Sequence, residues 1–272
     1  MPFAPSYALT LRTEDNVRIN AAHTPARGAG ELGIILAHGF TGSLTARPTR
    51  RITHVLSEFG GVISFDFRGH GRSGGESTVG DRETLDLDAA VRYARAVGHS
   101  RVAVVGFSMG GAVALRHAGR RGAVIRAGGG GAAGGETRQE AGEGAVDAVV
   151  AVSAPARWYY RGTRPMRQVH WAIERPFGRW AARVGRRTRI RKGTWDPVPP
   201  APHEAAAYIS PVPLLVVHGD ADAFFPLDHA HQIHDAAREP KELWIEPGYG
   251  HGESAATPGL IRRIGRWAGA HA

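Results

Sequence analysis

Polar and apolar residues alternate over Tyr7–Arg12 and again over Val17–Ala21, on either side of Glu14-Asp15-Asn16, a pattern that predicts an opening hairpin. Further along, Gly33–Ala37, Val62–Phe67, Arg101–Val105, Asp147–Ser153, Leu214–His218 and Leu243–Glu246 are short apolar runs, and each reads as a strand. Helical stretches separate or follow them: Ala46–Phe59, Thr84–Val97 with a fair period of 3.6, the alanine-rich Ala112–Ala118, Asp228–Ala237 and Pro258–Ala268. Strand–helix repetition of this kind predicts an α/β fold with a mainly parallel, doubly wound sheet covered on both faces.

Two stretches break the rhythm. Arg126–Ala145 holds eight glycines in twenty residues and little that packs, so a flexible surface insertion is expected there. No strand leads into it, which argues against a phosphate cradle. Ala156–Tyr208 gathers Trp158, Tyr159, Tyr160, Trp171, Phe177, Trp180 and Trp195 among many arginines. An irregular aromatic excursion between two strands reads as a cap over a site; the plainer reading has the same rings gluing the excursion to the body. The expected division is a core of residues 1–155 and 209–272, with the glycine-rich insertion at 126–145 and a basic, aromatic cap at 156–208.

Composition narrows the chemistry. The 272 residues and 29.0 kDa suit one such domain. The absence of cysteine excludes disulfides, a thiol nucleophile and thiolate metal sites. No apolar run approaches a membrane span, and the start Met1-Pro2-Phe3-Ala4-Pro5-Ser6 lacks the features of a signal peptide, so a cytoplasmic location is expected. The net charge of +9 is concentrated: residues 156–192 carry 12 Lys and Arg against the single acid Glu174, leaving 22 basic and 24 acidic residues elsewhere. That segment suits an anionic substrate or weak association with an acidic membrane surface; an arginine-rich solvated face is the plainer reading. No base-reading motif accompanies it, so no specific nucleic-acid partner is expected.

The chemistry centres on Gly106-Phe107-Ser108-Met109-Gly110-Gly111, placed between the strand Arg101–Val105 and the helix that follows. A serine between glycines at a strand-to-helix turn is a nucleophile elbow, where the backbone is strained and neighbouring side chains would collide. Four more signatures follow strands in order: His38-Gly39-Phe40-Thr41-Gly42-Ser43; Asp66-Phe67-Arg68-Gly69-His70-Gly71-Arg72-Ser73; His218-Gly219-Asp220-Ala221-Asp222, ending Phe225-Pro226; and Gly248-Tyr249-Gly250-His251-Gly252-Glu253. Together with the elbow they make the chain resemble the α/β-hydrolase fold serine hydrolases of the small, single-cap esterase and lipase type. The resemblance covers roughly residues 32–120 and 212–268.

It implies a cofactor-free serine hydrolase that cleaves small-molecule carboxylic esters through an acyl-enzyme, with Ser108 as nucleophile, His251 as base and Asp222 as orienting acid. Asp220 stays a rival for the acid, and Asp228, which reads as a helix N-cap, a weaker third. The backbone N–H groups of Phe40 and Met109 are the implied oxyanion donors, and Trp158, Tyr159, Tyr160 and Trp171 the expected substrate contacts. His38 is expected to tie loops together. Thioesterase, amidase or cofactor-free perhydrolase chemistry on the same residues remains open, as does a non-catalytic binding protein on the same fold. Dehalogenases and epoxide hydrolases carry aspartate at the elbow, which this chain does not.

Two decoys fall away. Gly69-His70-Gly71-Arg72-Ser73-Gly74 fits G-x-G-x-x-G but continues into a loop rather than opening a helix, so no dinucleotide site is expected; the loop is expected to pack beside the site and support the base. His229, His231 and His234 read as a solvated helix face, and no metal is expected.

Overall fold

The structure is a computed structural model that describes residues 5–28, 30–128 and 144–272. Asn16, at φ +65°, turns the chain from β1 (Tyr7–Arg12) into the antiparallel β2 (Arg18–Thr24), using the left-handed region that asparagine tolerates. The remaining strands are β3 (Leu32–Ala37), β4 (Gly61–Phe65), β5 (Arg101–Phe107), β6 (Ala148–Val152), β7 (Leu214–Gly219) and β8 (Lys241–Glu246). Among the described residues they form one sheet in the order β1-β2-β4-β3-β5-β6-β7-β8, parallel from β4 through to β8. β3, β4, β6 and β7 are buried at every position, which is why their sequences are near-continuous apolar runs, broken by Ser64 and His218, instead of alternating ones.

Because successive side chains point to opposite faces, the two residue sets of each strand build two separate cores. Ile35, Ala37 and Val104 pack with Leu87, Val91, Val113 and Ile233, residues of α2 (Glu83–Ala96), α3 (Met109–Gly128) and α7 (Leu227–Ala236). Ile34, Leu36 and Val105 pack with Ile52, Leu56, Ile261 and Trp267 of α1 (Arg47–Leu56) and α9 (Pro258–His271). The sheet is doubly wound, as expected. Thr257 caps α9 by accepting the Leu260 N–H, ahead of a proline in the first turn.

The excursion between β6 and β7 differs from the expectation of irregular chain. It contains α4 (Arg164–Glu174), α5 (Pro176–Arg186) and the short α6 (Pro202–Ala206). α4 and α5 approach so closely that a Cβ on Gly178 would meet the Ala172 backbone at 2.6 Å. Arginines at every third or fourth position hide the stripes Met166–Val169–Ile173 and Phe177–Trp180–Val184 that mark these helices. Of the glycine-rich stretch 126–145, residues 126–128 belong to α3, and 129–143 lie outside the described residues. α8 (Gly252–Ala255) is a single turn after β8.

Candidate active site

Two loops leave neighbouring strands in opposite directions. β3 and β5 pair directly, Ala37 against Gly106, but β3 feeds α1 on one face while β5 feeds α3 on the other. The crevice beyond such a reversal is where open α/β sheets bind ligands. The end of β5 turns into α3 at Ser108, which sits at φ +52°, a strained value for serine. Its N–H donates to Val152 O at 2.8 Å, and its carbonyl accepts from Ala112 N at 3.1 Å. A side chain on Gly106 would run into the Gly110 carbonyl, and one on Gly110 into the Ala37 carbonyl. The glycines therefore permit the turn that lifts Ser108.

The loop after β8 brings His251 to this turn, and the loop after β7 brings Asp222. His251 Nε2 lies 3.0 Å from Ser108 Oγ, and its Nδ1 lies 2.8 Å from Asp222 Oδ2. An ionised carboxylate only accepts, so Nδ1 carries the proton and Nε2 is left to accept from the serine hydroxyl. The Asp222 side chain is fully buried, and its Oδ1 accepts the N–H groups of Phe224 and Phe225 at 2.8 and 3.1 Å. Burial alone would raise its carboxyl; the hydrogen bond from His251, helped by the two backbone donors, outweighs it and holds the carboxyl below the ordinary aspartate value. Phe224 stacks on the imidazole at 4.3 Å between ring centres, and Phe225 meets it edge-on at 5.5 Å. His218, buried behind, donates from Nε2 to Phe225 O at 2.8 Å.

The two rival acids lie elsewhere. Asp220 Oδ1 accepts the Gly248 N–H at 2.6 Å. Asp228 pairs with Arg157 at 2.6 Å in the first turn of α7; the N-cap is Pro226, so the capping role read from sequence does not hold.

The loop carrying Phe40 is braced from three sides. Gly39 N–H donates to Glu253 Oε1 at 2.6 Å, and a Cβ on Gly39 would meet Ser108 Cβ at 3.2 Å, which puts this backbone directly beside the serine. Thr41 N–H donates to His70 Nε2 at 3.2 Å, while His70 Nδ1–H donates to Arg68 O at 3.0 Å. His38 Nε2 accepts the Phe67 N–H at 3.1 Å, tying the loop after β3 to the one after β4, as expected. Burial pushes the His70 imidazole down to about 3, keeping it a neutral acceptor. Arg68 in turn is clamped between Asp15 at 2.7 Å and Asp86 at 2.8 Å. The G-x-G-x-x-G loop thus braces the Phe40 loop rather than His251, a correction to the sequence reading. Among the described residues, nothing accepts the Phe40 N–H, and Met109 N, at the first position of α3, has no intrahelical acceptor.

The four expected substrate contacts do not converge. Tyr160 packs on Phe225 at 6.2 Å and His229 at 4.5 Å, next to the acid's loop. Trp158 and Tyr159 pack on Trp195, and Trp158 Nε1 donates to Pro199 O. Trp171 is half exposed beside Phe177. Of the nearby arginines, Arg161 pairs with Glu174 and Arg167 bonds backbone carbonyls of 161 and 162. His229 is fully buried with Nδ1 accepting the Ala156 N–H, so only His231 and His234 share a solvated face. Among the described residues no three His, Asp or Glu side chains gather as a metal site, and no helix is long and apolar enough to cross a membrane.

The family model of the alpha/beta hydrolase family matches residues 34–258. A 45-residue stretch is 42% identical to the uncharacterized protein YfhR of Escherichia coli K12; it spans only 16% of this chain and 16% of that protein. Three solved structures share the fold across nearly the whole length. The Pyrococcus furiosus esterase Pf2001 superposes with a TM-score of 0.70 at 22% identity, covering 98% of this chain and 93% of its own. The alpha/beta hydrolase GrgF from a Penicillium species gives 0.71 at 19%, covering 98% and 99%. XC6422 of Xanthomonas campestris, described as a serine hydrolase without a lid, gives 0.61 at 19%, covering 98% and 96%.

Proposed function

The chain belongs to the alpha/beta hydrolase family, and on that premise we propose that it is a serine hydrolase cleaving carboxylic esters through an acyl-enzyme. The observation that carries the reading is the continuous file Ser108 Oγ–His251 Nε2 at 3.0 Å and His251 Nδ1–Asp222 Oδ2 at 2.8 Å. A serine hydroxyl is a poor nucleophile at neutral pH unless a base takes its proton as it attacks.

Ser108 Oγ attacks the ester carbonyl carbon, and its proton passes to His251 Nε2. Asp222 keeps the proton-bearing nitrogen of the imidazole facing inward and stabilises the imidazolium. The carbonyl oxygen, now an anion, is received by the N–H groups of Phe40 and Met109, each worth about 3 kcal/mol in the transition state. Collapse expels the alcohol oxygen, which takes the proton from His251. Water then attacks the acyl-enzyme with His251 again as base, and the carboxylic acid leaves as Ser108 regains its proton. The reading makes residues 156–208 a cap over this site, with Tyr160 the substrate contact best supported, because its neighbour Phe225 touches His251.

Labelling with a fluorophosphonate probe tests the proposal. An adduct mapped to Ser108 and absent in Ser108→Ala, together with turnover of p-nitrophenyl esters lost in the same variant, is the expected result. A parallel panel of thioesters and amides ranks the leaving groups. A folded protein that takes no label and turns over none of these substrates would overturn the reading in favour of a binding role.

A further inference from the structure

α5 has three faces. Gly178 and Ala182 are buried, but Phe177, Trp180 and Val184 fall on one stripe and are 63%, 57% and 63% exposed. Phe177 and Trp180 stack on each other at 5.4 Å, and Trp171 of α4 adjoins them at 6.1 Å. α4 itself buries no residue. Large aromatic residues standing together in water at this level mark a surface that something covers. Around the helix from that stripe lie Arg183, Arg186 and Arg187, all exposed and without a side-chain partner among the described residues. Arg179, Arg183, Arg189 and Lys192 also line a cleft of about 210 Å³ against Trp180, with Glu76 the one acid in its wall. Arg189 is held in place there by the carbonyls of Ser73 and Gly75, and Arg179 by those of Ile173 and Glu174.

We infer that α5 is an interfacial helix that docks the protein on an anionic lipid bilayer. Phe177, Trp180 and Val184 enter the boundary below the headgroups, and the flanking arginines and the basic cleft engage lipid phosphates. An apolar stripe beside an arginine-rich one, on a helix lying across the surface, is the arrangement that suits a charged bilayer. The other occupants fit worse. A second copy would bring one cationic face, 12 basic residues to one acid over 156–192, against another. Residues 129–143 of this chain contain no apolar side chain larger than alanine with which to cover the stripe. A nucleic acid would engage the arginines but leave three large apolar residues in water. The inference does not depend on the hydrolase chemistry.

Sedimentation of the full chain with vesicles of phosphatidylcholine, with and without phosphatidylserine, tests it. Binding is expected only to the anionic vesicles and should fall with added salt. Arg183→Glu with Arg186→Glu and Arg187→Glu should weaken it about a hundredfold, at roughly a factor of five lost for each of the three surface charges. Phe177→Ser with Trp180→Ser should weaken it as well, while circular dichroism melts show both variants folded. Binding retained in either variant would overturn the inference, as would a dimer broken by Phe177→Ser and Trp180→Ser. So would association with duplex DNA but not with vesicles.

Discussion

Asp222 accepts from His251 Nδ1 with one carboxylate oxygen and, with the other, from the backbone N–H groups of the two phenylalanines that flank the same imidazole. The carboxylate therefore fixes both the tautomer of the imidazole and the walls around it. Asp222→Asn should keep the fold, since an amide oxygen still accepts from Phe224 and Phe225, but it presents the wrong partner to Nδ1. We expect kcat on p-nitrophenyl esters to fall by about 10³–10⁴ with fluorophosphonate labelling slowed in parallel, measured against Asp220→Asn, which should stay near wild type.

On the proposed mechanism Glu253 is a positioning residue for the loop that carries Phe40, because it accepts the Gly39 N–H. Glu253→Ala removes the acceptor and should lower kcat about tenfold with KM little changed, because the donors are engaged chiefly in the transition state. Glu253→Gln retains an acceptor oxygen and should recover most of that loss. Equal effects of the two substitutions would assign the residue a role through its charge.

The elbow glycines should be intolerant of even one methyl group. Gly106→Ala and Gly110→Ala each press a Cβ into backbone carbonyls that cannot move without shifting β3 or α3. We expect a loss of roughly 3 kcal/mol or more, read as a fallen urea midpoint or insoluble protein. Gly269→Ala, in α9 with open space around it, should instead raise stability by about 0.5 kcal/mol.

Three buried histidines set an acid limit. Burial pushes His229 down to about 4 and His70 and His117 to about 3, against an unfolded value near 6.5. Between those values the unfolded chain binds more protons than the folded one. Stability should therefore be level above pH 7 and fall as pH drops below about 6.5, each histidine adding up to about 1.4 kcal/mol per unit. Urea midpoints at pH 7.5, 6 and 5 measure this. A profile flat through that range would mean the imidazoles are not held neutral.

Much of the core is legible because burial on both faces leaves little choice of pattern: Leu32–Ala37 is apolar throughout, Leu214–Gly219 is apolar up to His218, and both lie within a residue of their expected bounds. Ser108, Asp222 and His251 could be paired in advance because each sits in a motif at a strand's end. The bracing was not legible. The bond from Gly39 to Glu253 joins residues 214 apart, and no local spacing announces it. α4 and α5 are hard to read from sequence because arginine dominates them and neither buries its stripe fully: that of α4 is half-buried and that of α5 exposed, whereas periodicity reports helices that bury a stripe. His229 groups in sequence with the solvated His231 and His234, whereas in the fold it is buried against Phe225 and against Tyr160, 69 positions earlier in the chain.

The strand order also imposes a timetable on synthesis. Ser108 and both glycine contacts of its turn belong to the first half of the chain, whereas the base arrives only when β8 pairs with β7 at the sheet's far edge. A growing polypeptide that has already folded β3, β4 and β5 holds its serine without a proton acceptor. On the proposed mechanism, such a chain attacks no ester until the loop after β8 has been made.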